Sequence, residues 1–235
     1  DRQRQRVQGR EDSCLGALVL ESRPCSEFDP DDALDILVKA LQDQDLRALP
    51  WTRRSRSLQQ RLAFLHRHRP EQWPDRSEEW LQAHLKDWLG DQLFGVDSFS
   101  DLKALQLEEG LWSGLPWERR RELDRLAPQA WPLPSGRAMA IDYGASPPVL
   151  AAKLQEFFGC TESPAILEGS LKLQIHLLSP AGRPLQITGD LPGFWASSYQ
   201  EVRKATRGRY PKHPWPDDPF TALPTALAKE QRTQE

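Results

Sequence analysis

Apolar positions recur along this chain with two different periods. From Asp29 onward, Leu34, Leu37, Val38 and Leu41 fall at i, i+3, i+4 and i+7, which predicts an amphipathic helix. Its start is marked by Asp29-Pro30-Asp31-Asp32: a capping acid, proline at the first helical position, and acids set against the helix dipole. A second helix carries Leu58, Leu62 and Leu65. A third is expected from Ser77, with Trp80, Leu81, His84, Leu85 and Trp88 on one side and Gly90 placed to end it. Ser98 or Ser100 opens a short helix, and Pro116 opens another through Leu126. Residues 29–127 therefore read as a helical array.

The segment "PQAWPLPSG", with prolines at 128, 132 and 134, breaks that pattern and sets a boundary. Beyond it the period becomes two. Met139, Ile141 and Tyr143 alternate, as do Leu171, Leu173, Ile175 and Leu177, with Lys172, Gln174 and His176 facing the other way. "PLQIT" adds a strand, Leu154 to Phe158 a short helix, and a last helix spans about Pro192 to Thr206. This half reads as a small α+β domain. Ahead of the helices, "CLGALVLESRP" reads as one strand, roughly Leu15 to Leu20, whose partners are expected upstream.

Composition narrows the picture. A net charge of -3 argues against a globally basic nucleic-acid binder, though not against local patches. Nine tryptophans argue against disorder, since such large apolar groups need cores or partners. No apolar run approaches membrane-helix length, and there is no signal-peptide pattern. Cys14, Cys25 and Cys160 form no CxxC and suit a reducing compartment, so a cytoplasmic location is expected. The polar opening "DRQRQRVQGR" is expected of a piece cut from a longer protein.

Two basic patches are candidates for phosphate contact. On the last helix Trp195, Tyr199, Val202 and Thr206 share one face, which reads as core. Arg203, Lys204 and Arg207 lie on the flank and opposite side, and Arg209 and Lys212 continue the stripe with no acid between them. The second patch, "TRRSRSLQQRLAFLHRHRP", carries Arg53, Arg54, Arg56, Arg61 and Arg67 among its arginines, with His66 and His68. Either is also what a solvated face or a dipole-compensating helix end would show. Phosphate backbone is the natural partner if they bind.

"GRYPKHPWPDDP", Gly208 to Pro219, holds four prolines that fix φ and favour extended geometry before them. We read it as a strap folded over its own domain, anchored by Tyr210 and Trp215 and by acid–base pairs from Asp217 and Asp218. His213 with the two aspartates is a poor metal site, lacking the ligands that zinc or hard cations need. His176, on a polar strand face, reads as a surface histidine. No GxxxxGK[ST], GxGxxG, GxSxG, HExxH or DExH motif occurs, so no catalytic residue is assigned.

"DLPGFWASSYQEVRKATRGRYPKHPWPDDPFTALPT", Asp190 to Thr225, resembles the carboxyl-terminal signature of the HrpB family of bacterial ATP-dependent DExH-box helicases. "LGALVLESRP", "LPWT", "LPSGRAMAIDYGASPPVLAAKLQEFFG" and "IHLLSPAGRPLQIT" extend the likeness over nearly the whole chain. It departs at Ala205-Thr206, where a longer, more polar pair is expected. The resemblance implies an α+β region in three parts. These are the end of an OB fold (1–28), a helical subdomain (29–127) and a C-terminal α+β domain with a mainly antiparallel sheet (128–235). It further implies that ATP and magnesium belong only to upstream RecA-like domains, and that the helicase core is a partner. Two roles stay open: assisting RNA binding through the basic patches, or a protein-interaction extension that docks on the core or recruits another protein.

Overall fold

A computed structural model describes residues 9–25, 29–96 and 98–227. The polar opening, residues 1–8, lies outside them. The chain forms two compact units, Asp1–Pro116 and Trp117–Glu235. The division thus falls eleven residues before the proline-marked change at 127/128.

The first unit begins with a hairpin. β1 (Gly9–Leu15) pairs antiparallel with β2 (Leu18–Cys25), and Gly16, at φ 62°, makes the two-residue turn with Ala17. The expectation of one strand over Leu15–Leu20 with missing partners is therefore corrected: the partner is the adjacent "GREDSCL". That segment is polar and the hairpin is exposed except at its paired ends Gly9 and Cys25, so no apolar alternation marked it as a strand.

Helices follow. α1 (Pro30–Gln42) buries Leu34, Leu37, Val38 and Leu41, and the Asp29 carboxylate accepts from the Asp31 N–H at 2.9 Å. α2 (Arg53–His68) opens with a reciprocal Thr52–Ser55 capping box. The expected third helix is two, α3 (Glu78–Ala83) and α4 (Leu85–Leu93), broken at His84. The Trp88 indole N–H donates to the Leu81 carbonyl at 3.0 Å, an acceptor that a continuous helix would offer to Leu85. Gly90 lies inside α4 and does not end it; the left-handed residue past its end is Gly95, at φ 80°.

A 3-10 turn (Asp101–Ala104) and α5 (Leu107–Trp112) complete the array. Leu62, Leu65, Leu81, Leu85 and Leu111 are fully buried at its centre. α5 packs tightly on α4, because a Cβ at Gly110 would stand 2.6 Å from the Trp88 carbonyl oxygen. Arg76, itself buried, donates to the carbonyls of Leu111 (3.2 Å) and Ser113 (2.8 Å), closing the end of α5.

The second unit opens with α6 (Arg119–Leu126), whose Leu126 carbonyl accepts from the Leu167 N–H at 2.9 Å. Its five-stranded sheet runs β3 (Ala130–Pro132), β4 (Ala138–Asp142), β5 (Val149–Lys153), then β8 (Gln174–Leu178) and β9 (Pro184–Thr188). Every pairing is antiparallel except β5 with β8. The crossover between those two holds a 3-10 turn (Leu154–Phe157) and a small hairpin of β6 (Ala165–Ile166) and β7 (Leu171–Lys172). The single strand expected over 171–177 therefore divides at Leu173, whose N–H turns aside to the Pro164 carbonyl. Ile175 and Leu177 are fully buried; His176 is half-buried, with Nε2 shielded from solvent, not the surface histidine its alternation suggested.

The last helix is also two: α7 (Leu191–Ser197) and α8 (Tyr199–Arg207), separated at Ser198. Trp195 and Tyr199, one on each, pack with ring centroids 5.4 Å apart, and Phe158 meets both. Among the described residues no helix is long and apolar enough to cross a membrane.

Candidate nucleic-acid interface

The strap lies along α8. The Tyr199 hydroxyl donates to the Pro216 carbonyl at 2.8 Å, and Gln200 Nε2 donates to the Asp217 carbonyl at 2.7 Å. Arg203 donates through Nε to the Trp215 carbonyl (2.8 Å) and through Nη2 to the Asp217 carboxylate (2.6 Å). Trp215 closes the bend by donating from its indole to the Tyr210 carbonyl at 3.0 Å. Further on, Pro219 accepts from the Gly159 N–H and the Thr225 N–H donates to the Gln155 carbonyl, both at 2.9 Å. Most of these bonds end on backbone carbonyls. Proline-rich backbone supplies acceptors without matching donors, and a helix flank of Tyr, Gln and Arg supplies the donors.

The two aspartates do different things. Asp217 meets Arg203, whereas Asp218 meets no arginine among the described residues. Its carboxylate takes the Thr221 hydroxyl (2.7 Å) and the Phe220 N–H (2.9 Å), which hold its pKa below the usual carboxylate range. Burial pushes the Tyr199 phenol well above its ordinary value. Burial, with Lys153 nearby, pushes the His213 imidazole down.

Pinning α8 in this way sorts its cations. Arg203 is committed to the strap, with only 15% of its side chain exposed. Lys204, Arg207 and Arg209 are exposed and meet no acid among the described residues. Lys212 is exposed as well, with Tyr210 and His213 half-buried on either side. The only acid within α8 is Glu201, in its first turn.

The second basic patch divides differently. Arg54 pairs with Glu108 (3.0 Å). Arg56 pairs with Glu78 (2.7 Å) and lies 3.9 Å over the Trp51 ring. Arg61 is buried. Arg53 and Arg67, fourteen residues apart at the two ends of α2, remain exposed. The Trp73 carbonyl oxygen lies 2.8 Å from His66 Nδ1 and accepts from it in the tautomer that carries a proton there, and His68 packs on Phe64. The neutralising acids come from α3 and α5, which the local sequence could not reveal. Tyr199, Gln200 and the backbone of Gly159 and Gln155 form the strap's seat, and only Tyr199 had a sequence signal, its aromatic spacing. Among the described residues no cluster of three or more His, Cys, Asp or Glu could hold a metal ion.

The fold and the strap define a mixed α+β region: a helical array, then a sheet domain that carries its own extended clasp. Residues 88–219 match the ATP-dependent helicase C-terminal family, HrpB_C, and the chain belongs to that family. It is 38% identical over 218 residues to the ATP-dependent RNA helicase HrpB of Escherichia coli K12, covering 92% of this chain and 27% of the relative. The crystal structure of the E. coli DExH-box NTPase HrpB superposes with a TM-score of 0.75 at 38% identity, over 89% of this chain and 26% of that one. A structure of the Escherichia coli DEAH/RHA helicase HrpB gives 0.65 at 36%, over 88% and 26%. The chain thus spans about a quarter of the relatives it matches.

Proposed function

We propose that this chain is a non-catalytic accessory region of an HrpB-like RNA helicase that holds RNA by its phosphates through Lys204, Arg207 and Arg209. The observation that carries the reading is the sorting on α8. The strap occupies Arg203, while Lys204 and Arg207 on the same helix and Arg209 just past it are exposed and meet no acid among the described residues. Clustered cations on one element can neutralise neighbouring phosphates together, and released counterions drive the association. ATP and magnesium, in this reading, act elsewhere in the helicase. The relative's printed name as an RNA helicase supports RNA over DNA.

The test is a salt titration of single-stranded RNA binding by the chain and by the K204A/R207A/R209A variant. The expected result is steep salt dependence, with the log–log slope flattened by about 2 in the variant. No binding at low salt would sink the reading. A second reading, docking on the helicase core, is favoured by one observation: Leu15, Leu18, Val19 and Leu20 of the hairpin are 57–68% exposed. Core binding that L18S/L20S abolishes and nuclease leaves intact would support it.

A further inference from the structure

Of the nine tryptophans, Trp117 alone is exposed, at 63%; the other eight are buried or half-buried. It stands two residues ahead of α6, and the Arg121 guanidinium lies 5.6 Å from its ring centroid. Other arginines of this helix are engaged: Arg119 with Glu122, Arg125 with Glu168 at 2.7 Å. Arg121 meets no acid among the described residues and packs against the indole. A broad π-face and an uncompensated guanidinium therefore stand side by side in solvent.

We propose that Trp117 and Arg121 form a stacking platform for an unpaired base of single-stranded RNA, with Arg121 reaching the adjoining phosphate. Every base offers a π-face to an indole, and a guanidinium beside the ring adds cation–π attraction and phosphate contact. Glu118, Arg120 and Arg121, neighbours of Trp117 in the chain, are all exposed and charged. An apolar protein partner would have to desolvate those groups, whereas a nucleotide leaves its sugar and phosphate among them. The proposal rests on the RNA reading above, but its site, its chemistry and its salt signature are separate. Stacking is insensitive to salt, and the α8 cations are not.

The experiment compares the full 235-residue chain with W117A, W117F, R121A and the α8 triple variant, on an oligouridylate and on a blunt RNA duplex of equal length. W117A is expected to weaken oligouridylate binding about 10-fold at low and high salt alike, with an unchanged salt slope. Duplex binding is expected to be unaffected by W117A, since duplex bases are already stacked. W117F retains most of the affinity but loses the Trp117 share of RNA-induced fluorescence quenching. R121A flattens the slope by about 0.7. Oligouridylate binding that W117A leaves unchanged overturns this proposal alone, and failure of the unaltered chain to bind RNA overturns it together with the function proposed above.

Discussion

The Arg203 guanidinium spans two parts of the strap at once, donating to the Trp215 carbonyl at 2.8 Å and meeting the Asp217 carboxylate at 2.6 Å. The two partners are unequal. Arg203 is largely covered, while 88% of the Asp217 side chain is exposed. An exposed carboxylate contributes under about 1 kcal/mol, whereas a hydrogen bond from a charged donor to a covered carbonyl contributes about 1.5–3 kcal/mol. R203A should therefore lower unfolding free energy by about 2 kcal/mol and D217A by much less, read from urea titrations. Equal losses would mean that the ion pair, not the carbonyl bond, holds the strap.

Tyr199 separates the strap bond from the aromatic cluster. Y199F keeps the ring against Trp195 and Phe158 but removes the donor to the Pro216 carbonyl. The expected loss is about 1 kcal/mol, with faster proteolysis between Tyr210 and Pro219. Y199A, which also empties the cluster, should cost about 3–5 kcal/mol.

Gly110 is required by close approach of α5 to α4, not by its dihedral angles. G110A would drive a methyl to within 2.6 Å of the Trp88 carbonyl oxygen and 3.0 Å of the Leu89 side chain. A backbone shift costing about 1–3 kcal/mol is expected, despite alanine's better helix propensity. A stabilised G110A in thermal unfolding would contradict this packing.

His213 is held below its ordinary pKa of 6.5 by burial and then by Lys153. His68 is shifted the same way by burial and Arg67. Below that value the unfolded chain takes up protons that the folded chain resists, so stability should fall as pH drops through about 6.5 and level off once both states are protonated. Above it both states are neutral and the effect vanishes. H213Q should flatten part of this decline in unfolding midpoints measured from pH 8 to pH 5; an unchanged profile would remove His213 from the account.

Much of this protein was legible as pattern. The α1 cap and its Leu34–Leu41 stripe, the α2 face and the buried face of β8 follow from local spacing and burial, as does the strap from its prolines. The likeness of "GRYPKHPWPDDP" to the HrpB signature agrees with the family match. The interruptions were not legible. His84 breaks a well-formed apolar stripe because the Trp88 indole takes the Leu81 carbonyl, and Ser198 divides a helix whose face is continuous in sequence.

The basic patches mark the boundary most clearly. Sequence by itself determined where cations cluster, because charge is a property of residue order. Which cations remain available was decided only in three dimensions. Glu78, Glu108 and Asp217 arrive from other elements to occupy Arg56, Arg54 and Arg203, and Arg61 is buried. Lys204, Arg207 and Arg209 are left without acids among the described residues. Charge pairing acts through space over a few ångströms, and only the folded chain sets those distances.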